Sequence, residues 1–280
     1  MKMKKLGAFA ASFAMVGALA LTGCGNSNTT ATAGSAKADA GSAEAATEMK
    51  LITDGKLTIG TAAEYEPFEY MEDGEYKGFD IELAQALADK LGLELQVENV
   101  DFDTITPGVA SGTKYDMGIT AITATPERKD EVDFTDSYYM DDQAVVTMKD
   151  NTAVTKDNAM DELNKEGVKI AVQSGSTAES FAKENFPNAE LVPFKNATDC
   201  FSALQANQAV ALVTNRSVAA QMVAGQFNNE QVVKQVSTGE EYAIAVAKDN
   251  PVLKEKLNDA LQELTDDGTV DSLMSKYNIK

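Results

Sequence analysis

The stretch DMGITAITATPERKDEVDF, residues 116–134, joins a short apolar run to a polar turn that ends in an arginine. The run Met117–Ile122 predicts a buried strand, and the residues from Thr123 to Arg128 predict a turn that leaves its carboxyl end. Only Arg128 and Arg216 are arginines among the 24 basic residues. The planar guanidinium binds a carboxylate through two parallel hydrogen bonds, which lysine cannot do. From these residues alone, a carboxylate-binding arginine and a surface arginine that caps a helix are equally compatible with the pattern.

The composition excludes several kinds of function. The chain has 280 residues, 44% of them hydrophobic, and a formal net charge of −20, which argues against nucleic acid or an anionic membrane surface as a partner. It contains no histidine and two cysteines, Cys24 and Cys200. Ser-His-Asp catalysis, Cys-His pairs and His-ligated zinc sites are therefore impossible, and the cysteines cannot form a zinc cluster. Any catalysis would have to use carboxylates, lysine or tyrosine, and we predict neither a metal nor a cofactor.

The N-terminal residues have the pattern of an export signal. Three lysines precede the apolar run Leu6–Leu21, which is too short and too rich in small residues for a convincing membrane span. The run ends in Leu21-Thr22-Gly23-Cys24, which matches the bacterial lipoprotein box and implies cleavage before Cys24 and lipidation of its thiol. We therefore predict a lipoprotein signal peptide over residues 1–23; a plain secretory signal with a chance cysteine is the alternative.

Residues 24–49 are rich in Ala, Ser, Thr and Gly and have no regular spacing of apolar residues. Such a composition cannot bury a core, so it predicts a flexible tether that would span roughly 25–30 Å. We expect a globular body held by lipid at the outer face of the cell membrane, or on the periplasmic side. The sequence leaves the Gram type of the host open.

The folded body begins with alternating strand and helix patterns. These predict a parallel sheet with crossover helices. The predicted elements are Lys56–Thr61, Phe79–Leu91 with Gly92 as C-cap, Leu93–Val97, a helix near Thr104–Ser111, and Met117–Ile122. Residues 62–70 are predicted to form an irregular loop and residues 71–78 a turn. Because ligands bind beyond the carboxyl ends of parallel strands, the loops holding Tyr65, Phe102 and Arg128 should converge.

A second unit of the same kind follows after residue 148. It contains a predicted strand, Val168–Val172, and a Ser/Gly/Thr turn before the helix Ala178–Asn185. Free backbone amides at a helix N-terminus can bind an anion, although such turns are also common helix caps. Further along, Cys200 lies among Phe201 and Leu204 on a predicted helix, which indicates a buried, inert thiol.

Five motifs in this order resemble bacterial extracellular solute-binding proteins of family 3, over about residues 50–280. They are GTAAEYEPFEY, YKGFDIELAQALADKLG, ITAITATPERKDEVDFTDSYY, IAVQSGSTAES and KDNPVLKEKLNDALQELTDDGTVDSLMSKY. The resemblance implies an α/β, periplasmic-binding-protein type II fold, with two α/β lobes joined by a two-strand hinge. Lobe 1 would comprise residues 50–140 and 242–280, and lobe 2 residues 141–241. The crossing strands would lie near Met140–Met148 and Ser237–Ala243.

The resemblance also implies roles for individual residues in binding an amino acid. Arg128 would hold the ligand's α-carboxylate with the hydroxyl of Thr123. Backbone groups near Ala121 and in the turn Ser176-Thr177 would complete that site. Tyr65 and Phe102 would sandwich the ligand side chain, unless they only pack in the core.

Two departures from the family pattern leave the ligand's ammonium without an assigned partner. Many members carry an acidic residue where this chain has Ala62, and an aspartate where it has Asn215. Loss of such a partner should cost about 1.5–3 kcal/mol, or roughly tenfold or more in affinity. Glu64 or another acid could supply the charge, neutral acceptors could hold the ammonium, or the ligand could be no ordinary α-amino acid. Arg216 could meet an acidic ligand side chain, but a solvent-facing residue at a helix start is favoured.

The resemblance implies the substrate-binding component of an ABC importer and not an enzyme. It would capture a polar amino acid and deliver it to a membrane permease with its ATPase. We expect a monomer that touches the membrane only through its N-terminal lipid. The alternatives are an enzyme of the cyclohexadienyl dehydratase kind, with Glu64, Asp101 or Asp103 as acid or base, and a sensory ligand-binding protein. The sequence leaves open which amino acid is bound; glutamine, cystine, arginine and glutamate receptors share these motifs.

Overall fold

The computed structural model describes residues 48–279. The predicted signal peptide, the lipidation site Cys24 and the predicted tether up to residue 47 lie outside the described residues. At the start of the described chain, Met49 already packs against the core, and the backbone N–H of Lys50 donates to the side chain of Asn250 at 3.2 Å. None of the described helices is both long and apolar enough to cross a membrane.

The strands form two sheets. In chain order they are β1 (Lys56–Thr61), β2 (Glu64–Tyr65), β3 (Glu69–Glu72), β4 (Glu75–Lys77), β5 (Glu94–Asn99), β6 (Met117–Gly118), β7 (Asp133–Met148), β8 (Lys169–Gln173), β9 (Glu190–Phe194), β10 (Ala211–Asn215) and β11 (Glu230–Val246). The eight-stranded sheet has the order β5-β1-β6-β11-β7-β10-β8-β9, and β2, β3 and β4 form a small sheet of their own.

The helices connect these strands. They are α1 (Phe79–Leu91), α2 (Ile105–Ala110), α3 (Pro126–Glu131), α4 (Ala159–Leu163), α5 (Thr177–Asn185), α6 (Ala197–Gln205), α7 (Arg216–Ala224), α8 (Pro251–Asp266) and α9 (Thr269–Lys276). The predicted helix over 79–91 is confirmed: its side chains Phe79, Leu83 and Leu87 are buried, and Gly92 ends it in the left-handed conformation at φ 69°.

Parallel pairing occupies both ends of the large sheet. Strand β1 is parallel to its neighbours β5 and β6, and β8 is parallel to β9 and β10. Between these groups, the long strands β7 and β11 pair antiparallel with each other. The predicted parallel βα units are therefore confirmed, and both predicted crossing segments lie within β7 and β11.

The predicted strand Met117–Ile122 is wrong in its extent, since only Met117 and Gly118 pair as β6. Ala121 has φ +47°, a left-handed value that no strand residue adopts, and its N–H donates to the side chain of Asp80 at 2.6 Å. A tertiary hydrogen bond thus replaces the sheet ladder here. The backbone then returns to β11 only in part, with an isolated bridge between Thr123 and Tyr242.

The prediction of an irregular loop and turn over residues 62–78 is also incomplete. The three short strands β2, β3 and β4 pair antiparallel there. This small sheet holds Glu64 and Tyr65 in fixed positions against the rest of the molecule.

The C-terminal helices return to the first half of the chain. Lys90 of α1 pairs with Glu263 of α8 at 3.0 Å, and Lys276 of α9 pairs with Glu82 of α1 at 2.6 Å. Helices α8 and α9 therefore each form an ion pair with α1, in the first half of the chain.

Candidate ligand-binding site

The structure brings most of the predicted site residues into one polar cluster. Thr123 and Arg128 come from the segment after β6, Thr177 begins α5, and Asn215 ends β10. Tyr65 reaches the cluster from β2. These are the ends of strands or the starts of helices, as expected for a sheet of this kind.

Arg128 is held by backbone carbonyls from two parts of the chain. Its Nη1 donates to the carbonyl of Thr123 at 2.8 Å, and its Nη2 donates to the carbonyl of Gly175 at 3.0 Å. The guanidinium lies over the ring of Phe102, 5.3 Å from the centroid. Burial lowers the pKa of Arg128 from its usual value, but arginine remains charged at neutral pH. No carboxylate within residues 48–279 forms an ion pair with this guanidinium.

Glu240, on β11, lies at the centre of the cluster and was not among the predicted site residues. Its carboxylate is buried and accepts hydrogen bonds from Thr123 Oγ1 at 2.8 Å and Thr177 Oγ1 at 2.6 Å. The side-chain amides of Asn215 (3.1 Å) and Gln143 also donate to it. The sequence signal was a pair of acids just before the buried run Tyr242–Val246, inside the predicted crossing strand.

Tyr65 and Asn215 form one hydrogen-bonded chain with Glu240. The hydroxyl of Tyr65 donates to Asn215 Oδ1 at 2.8 Å and lies 3.1 Å from Thr214 Oγ1. Burial raises the pKa of Tyr65, so its hydroxyl remains protonated. The Tyr65 ring belongs to the main core, whereas the Phe102 ring faces Arg128.

The hydroxyl of Ser176 is used within its own turn. It donates to the carbonyl of Gln173 at 2.7 Å and accepts from the N–H of Glu179 at 3.1 Å. It therefore caps α5, as in the helix-cap alternative, while the next residue, Thr177, points its hydroxyl at Glu240.

Glu64 lies on β2, and its carboxylate contacts the start of α6. Its carboxylate accepts hydrogen bonds from the N–H of Ala197 at 2.9 Å, from Thr198 Oγ1 at 3.1 Å and from Gln173 Nε2 at 3.1 Å. Burial raises the pKa of Glu64 to about 7. The carboxylate of Glu64 thus contacts the N-terminus of α6 and the side-chain amide of Gln173, and none of these donors belongs to the Glu240 cluster.

Arg216 does begin a helix, but it does not simply face solvent. Its Nε lies 3.4 Å from Oδ1 of the buried Asp141, and Asp141 Oδ2 also accepts from the N–H of Ser217 at 3.2 Å. This ion pair gives Arg216 a structural partner within the chain.

Two further predictions concern chemistry. Cys200 is buried, as predicted, and burial raises the pKa of its thiol, which makes a nucleophilic thiolate unfavourable. Within residues 48–279, no group of three or more acidic or cysteine side chains is arranged to hold a metal ion.

An α/β fold whose polar groups meet around a partly buried arginine, between two parallel strand groups, defines a binding protein of the periplasmic type II class. The sequence model of bacterial extracellular solute-binding proteins, family 3, matches residues 57–280, and the chain belongs to this family.

Individual relatives agree with this assignment. The probable histidine-binding protein of Campylobacter jejuni is 32% identical over 225 residues, which cover 80% of this chain and 85% of that protein. The arginine-binding extracellular protein ArtP of Bacillus subtilis is 32% identical over 265 residues, 92% of each protein. Among solved structures, the ancestral amino acid-binding protein AncCDT-1, described as a precursor of cyclohexadienyl dehydratase, has a TM-score of 0.74 and 38% identity. The match covers 80% of this chain and 95% of AncCDT-1.

Proposed function

We propose that this protein is the substrate-binding component of an ABC importer and that it binds one polar amino acid. Membership of the extracellular solute-binding family supports the class, and the names of the relatives support an amino acid as the ligand. The protein would bind the free amino acid outside the cytoplasm and deliver it to a membrane permease and its ATPase.

The observation that carries this proposal is the state of Arg128. Its guanidinium is partly buried and already fixed by two carbonyls, yet no described carboxylate pairs with it. A partly desolvated cation is stabilised when an anion completes its hydrogen bonds, and a carboxylate fits the planar fork of arginine. The α-carboxylate of an amino acid would supply that anion.

We further propose that closure of two lobes encloses the ligand. Residues 50–140 and 242–280 would form one lobe and residues 141–241 the other, with β7 and β11 as the hinge. The hydrogen bond of Arg128 to Gly175 and that of Tyr65 to Asn215 would then join the lobes across the cleft. These contacts support a closed form as the binding-competent state.

A thermal-shift screen over the common amino acids tests the proposal. We expect at least one of them to raise the melting temperature, because a ligand that binds only the folded state stabilises it. Arg128→Ala should abolish that shift. Lys129→Ala is the matched control, since Lys129 is the next residue of α3 and is exposed, and it should keep the shift.

Two results would contradict the proposal. An unchanged ligand-induced shift in Arg128→Ala would remove the carboxylate-binding role of Arg128. A wild-type protein that responds to no amino acid would remove the function itself.

We propose binding without chemistry as the role of the site. The carboxylates of Glu64 and Glu240 are each tied to several donors, and AncCDT-1 is itself described as an amino acid-binding protein. Incubation with arogenate or prephenate should therefore release no aromatic product. Product formation that Glu64→Gln abolishes would favour the enzyme instead.

A further inference from the structure

Positions 62 and 215 carry no acidic group, but a buried acid, Glu240, lies beside Asn215. Ala62 is buried and apolar, and Asn215 is neutral, whereas the carboxylate of Glu240 lies in hydrogen-bonding contact with Asn215. Five donors surround Glu240, the four named above and the hydroxyl of Thr238 at 3.2 Å, and all are uncharged hydroxyls or amides. Within residues 48–279, no lysine or arginine forms an ion pair with it.

A buried carboxylate without a cation is unfavourable, because neutral donors only partly replace the water that it has lost. Arg128 is close enough to Glu240 for the two charges to interact electrostatically, but the two side chains do not form a direct ion pair. The site therefore presents one cation and one anion that lack an oppositely charged partner, and a ligand ammonium would have to displace one of the neutral donors now bound to Glu240.

The two charged groups are linked through one residue, Thr123. Thr123 contacts both of them: its backbone carbonyl accepts from Arg128 Nη1 at 2.8 Å, and its hydroxyl donates to Glu240 at 2.8 Å. The carboxylate and ammonium of an α-amino acid are likewise borne by one carbon atom. A ligand lying against Thr123 could reach Arg128 with its carboxylate and Glu240 with its ammonium.

Asn215 contributes by orienting Glu240. Its Oδ1 accepts from the hydroxyl of Tyr65 at 2.8 Å, which leaves Nδ2 to donate to Glu240 at 3.1 Å. An aspartate at this position would repel Glu240, whereas the amide holds it. The neutral residue at 215 and the acid at 240 thus belong to one arrangement.

We propose that Glu240 binds the ligand's α-ammonium group and that Asn215 positions it. This inference rests on the proposed function, since it assumes an amino acid that carries a free α-ammonium. The acidic partner of the ligand's ammonium would then be Glu240 and not an acid at position 62 or 215.

Calorimetric titration tests the role of Glu240. The probes are L-arginine, L-glutamine and L-histidine, each with the analogue in which hydrogen replaces the α-ammonium. Glu240→Gln should weaken binding of the responding amino acid by about tenfold or more, because a charge-assisted hydrogen bond is lost. Binding of its des-amino analogue should change little. Glu241→Gln is the matched control, since Glu241 is adjacent and exposed, and it should bind both ligands as the wild type does.

A second variant separates charge recognition from a structural effect. Asn215→Asp in the Glu240→Gln background restores one carboxylate beside the same site and should recover the preference for the amino acid over its analogue. A merely structural role of Glu240 would not give this recovery.

Three outcomes would overturn the inference. Equal losses for amino acid and analogue would show that Glu240 does not recognise the ammonium. Tighter binding in Glu240→Gln would show that Glu240 competes with the ligand carboxylate for the hydroxyls of Thr123 and Thr177. If the wild-type protein binds none of the three amino acids, the importer proposal fails first and the inference fails with it.

Discussion

Glu64 is a carboxyl whose protonation is coupled to folding. Burial raises its pKa to about 7, against the opposing hydrogen bonds from Ala197 and Thr198. The acidic Asp199 on the same helix raises it further. Because the folded state therefore holds this proton at a pH where the unfolded chain has lost it, the contribution of Glu64 to stability falls as pH rises from about 4.5 to 7.

We expect Glu64→Gln to reduce this pH dependence. In the wild type, ionisation of Glu64 should lower the melting temperature between pH 5 and 7. Other buried carboxyls add to this decline, such as Glu230, whose pKa burial also raises to about 7. The variant should decline less, because its side chain cannot ionise. Melting curves at several pH values measure the difference.

Glu75→Gln provides the matched control for this measurement. Glu75 lies in the same small sheet but is exposed, so its variant should follow the wild-type curve. Parallel wild-type and Glu64→Gln curves across pH 5–7 would contradict the coupling.

At single residues, the sequence identified Arg128 more readily than Glu240. Arg128 follows an apolar run directly and is one of two arginines, so both its position and its chemistry stood out. Glu240 is one acid among 44 Asp and Glu residues, and the donors Thr123, Gln143, Thr177 and Asn215 that bind its carboxylate lie 25 to 117 residues away in sequence. No local pattern reports such a cluster.

The segment after β6 depends on α1 for its shape. Asp80, in the first turn of α1, accepts the N–H of Ala121 at 2.6 Å and the hydroxyl of Tyr138 at 2.9 Å. Burial raises the pKa of Asp80 to about 6, so it is ionised at neutral pH. Burial and the Asp80 carboxylate hold the pKa of the neighbouring Glu69 well above its usual range. One helix thereby fixes the backbone that carries Thr123 and Arg128.

We expect Asp80→Asn to destabilise the protein by about 1–3 kcal/mol, because both buried hydrogen bonds go to Oδ2 and would lose the negative charge of their acceptor. The weaker acceptor should also loosen the left-handed conformation at Ala121. Urea unfolding, followed by circular dichroism, gives the stability difference.

The control for Asp80→Asn is Asp89→Asn on the same helix. Asp89 is exposed and its carboxylate accepts from Gln85 Nε2 at 2.8 Å on the surface of the helix, so its substitution should change stability little. Equal stabilities of the two variants would contradict the role given to Asp80.

The contrast between local patterns and contacts distant in sequence also explains which helices and strands the sequence predicts. Helices α1 and α8 have apolar residues at helical spacing, and burial of that face is a local property. Strands β7 and β11 were predicted only in part, because polar residues and Gly239 interrupt their pattern. Their mutual pairing, with register shifts on either side of Glu240, sets their length.

At the scale of the whole molecule, the predicted attachment to the membrane depends on lipidation of one thiol, that of Cys24. We expect the full chain, expressed in a bacterium that processes lipoproteins, to fractionate with membranes and to incorporate labelled palmitate at Cys24. Cys24→Ala should lose the label and appear in the soluble extracytoplasmic fraction.

Cys200→Ala is the control, since the only other cysteine is buried in the folded body and should have no part in labelling. Persistent palmitate in Cys24→Ala would contradict the anchor.

The α/β class was predictable at this scale because each βα unit has its own apolar pattern and unit follows unit along the chain. The order of strands was not derivable from those patterns alone. The position of β11 between β6 and β7 joins the end of the chain to its beginning.

That position of β11 has a consequence for secretion. Strand β6 pairs with Ala245 and Val246, and the N–H of Lys50 bonds to Asn250, 200 residues later. A chain that crosses a membrane with its N-terminus first would present β1, β5 and β6 long before their last partner emerges. The first half would thus reach the outside as an unfinished sheet with an open edge, vulnerable to proteases and to other chains. Its folding would be timed by the arrival of the C-terminal residues.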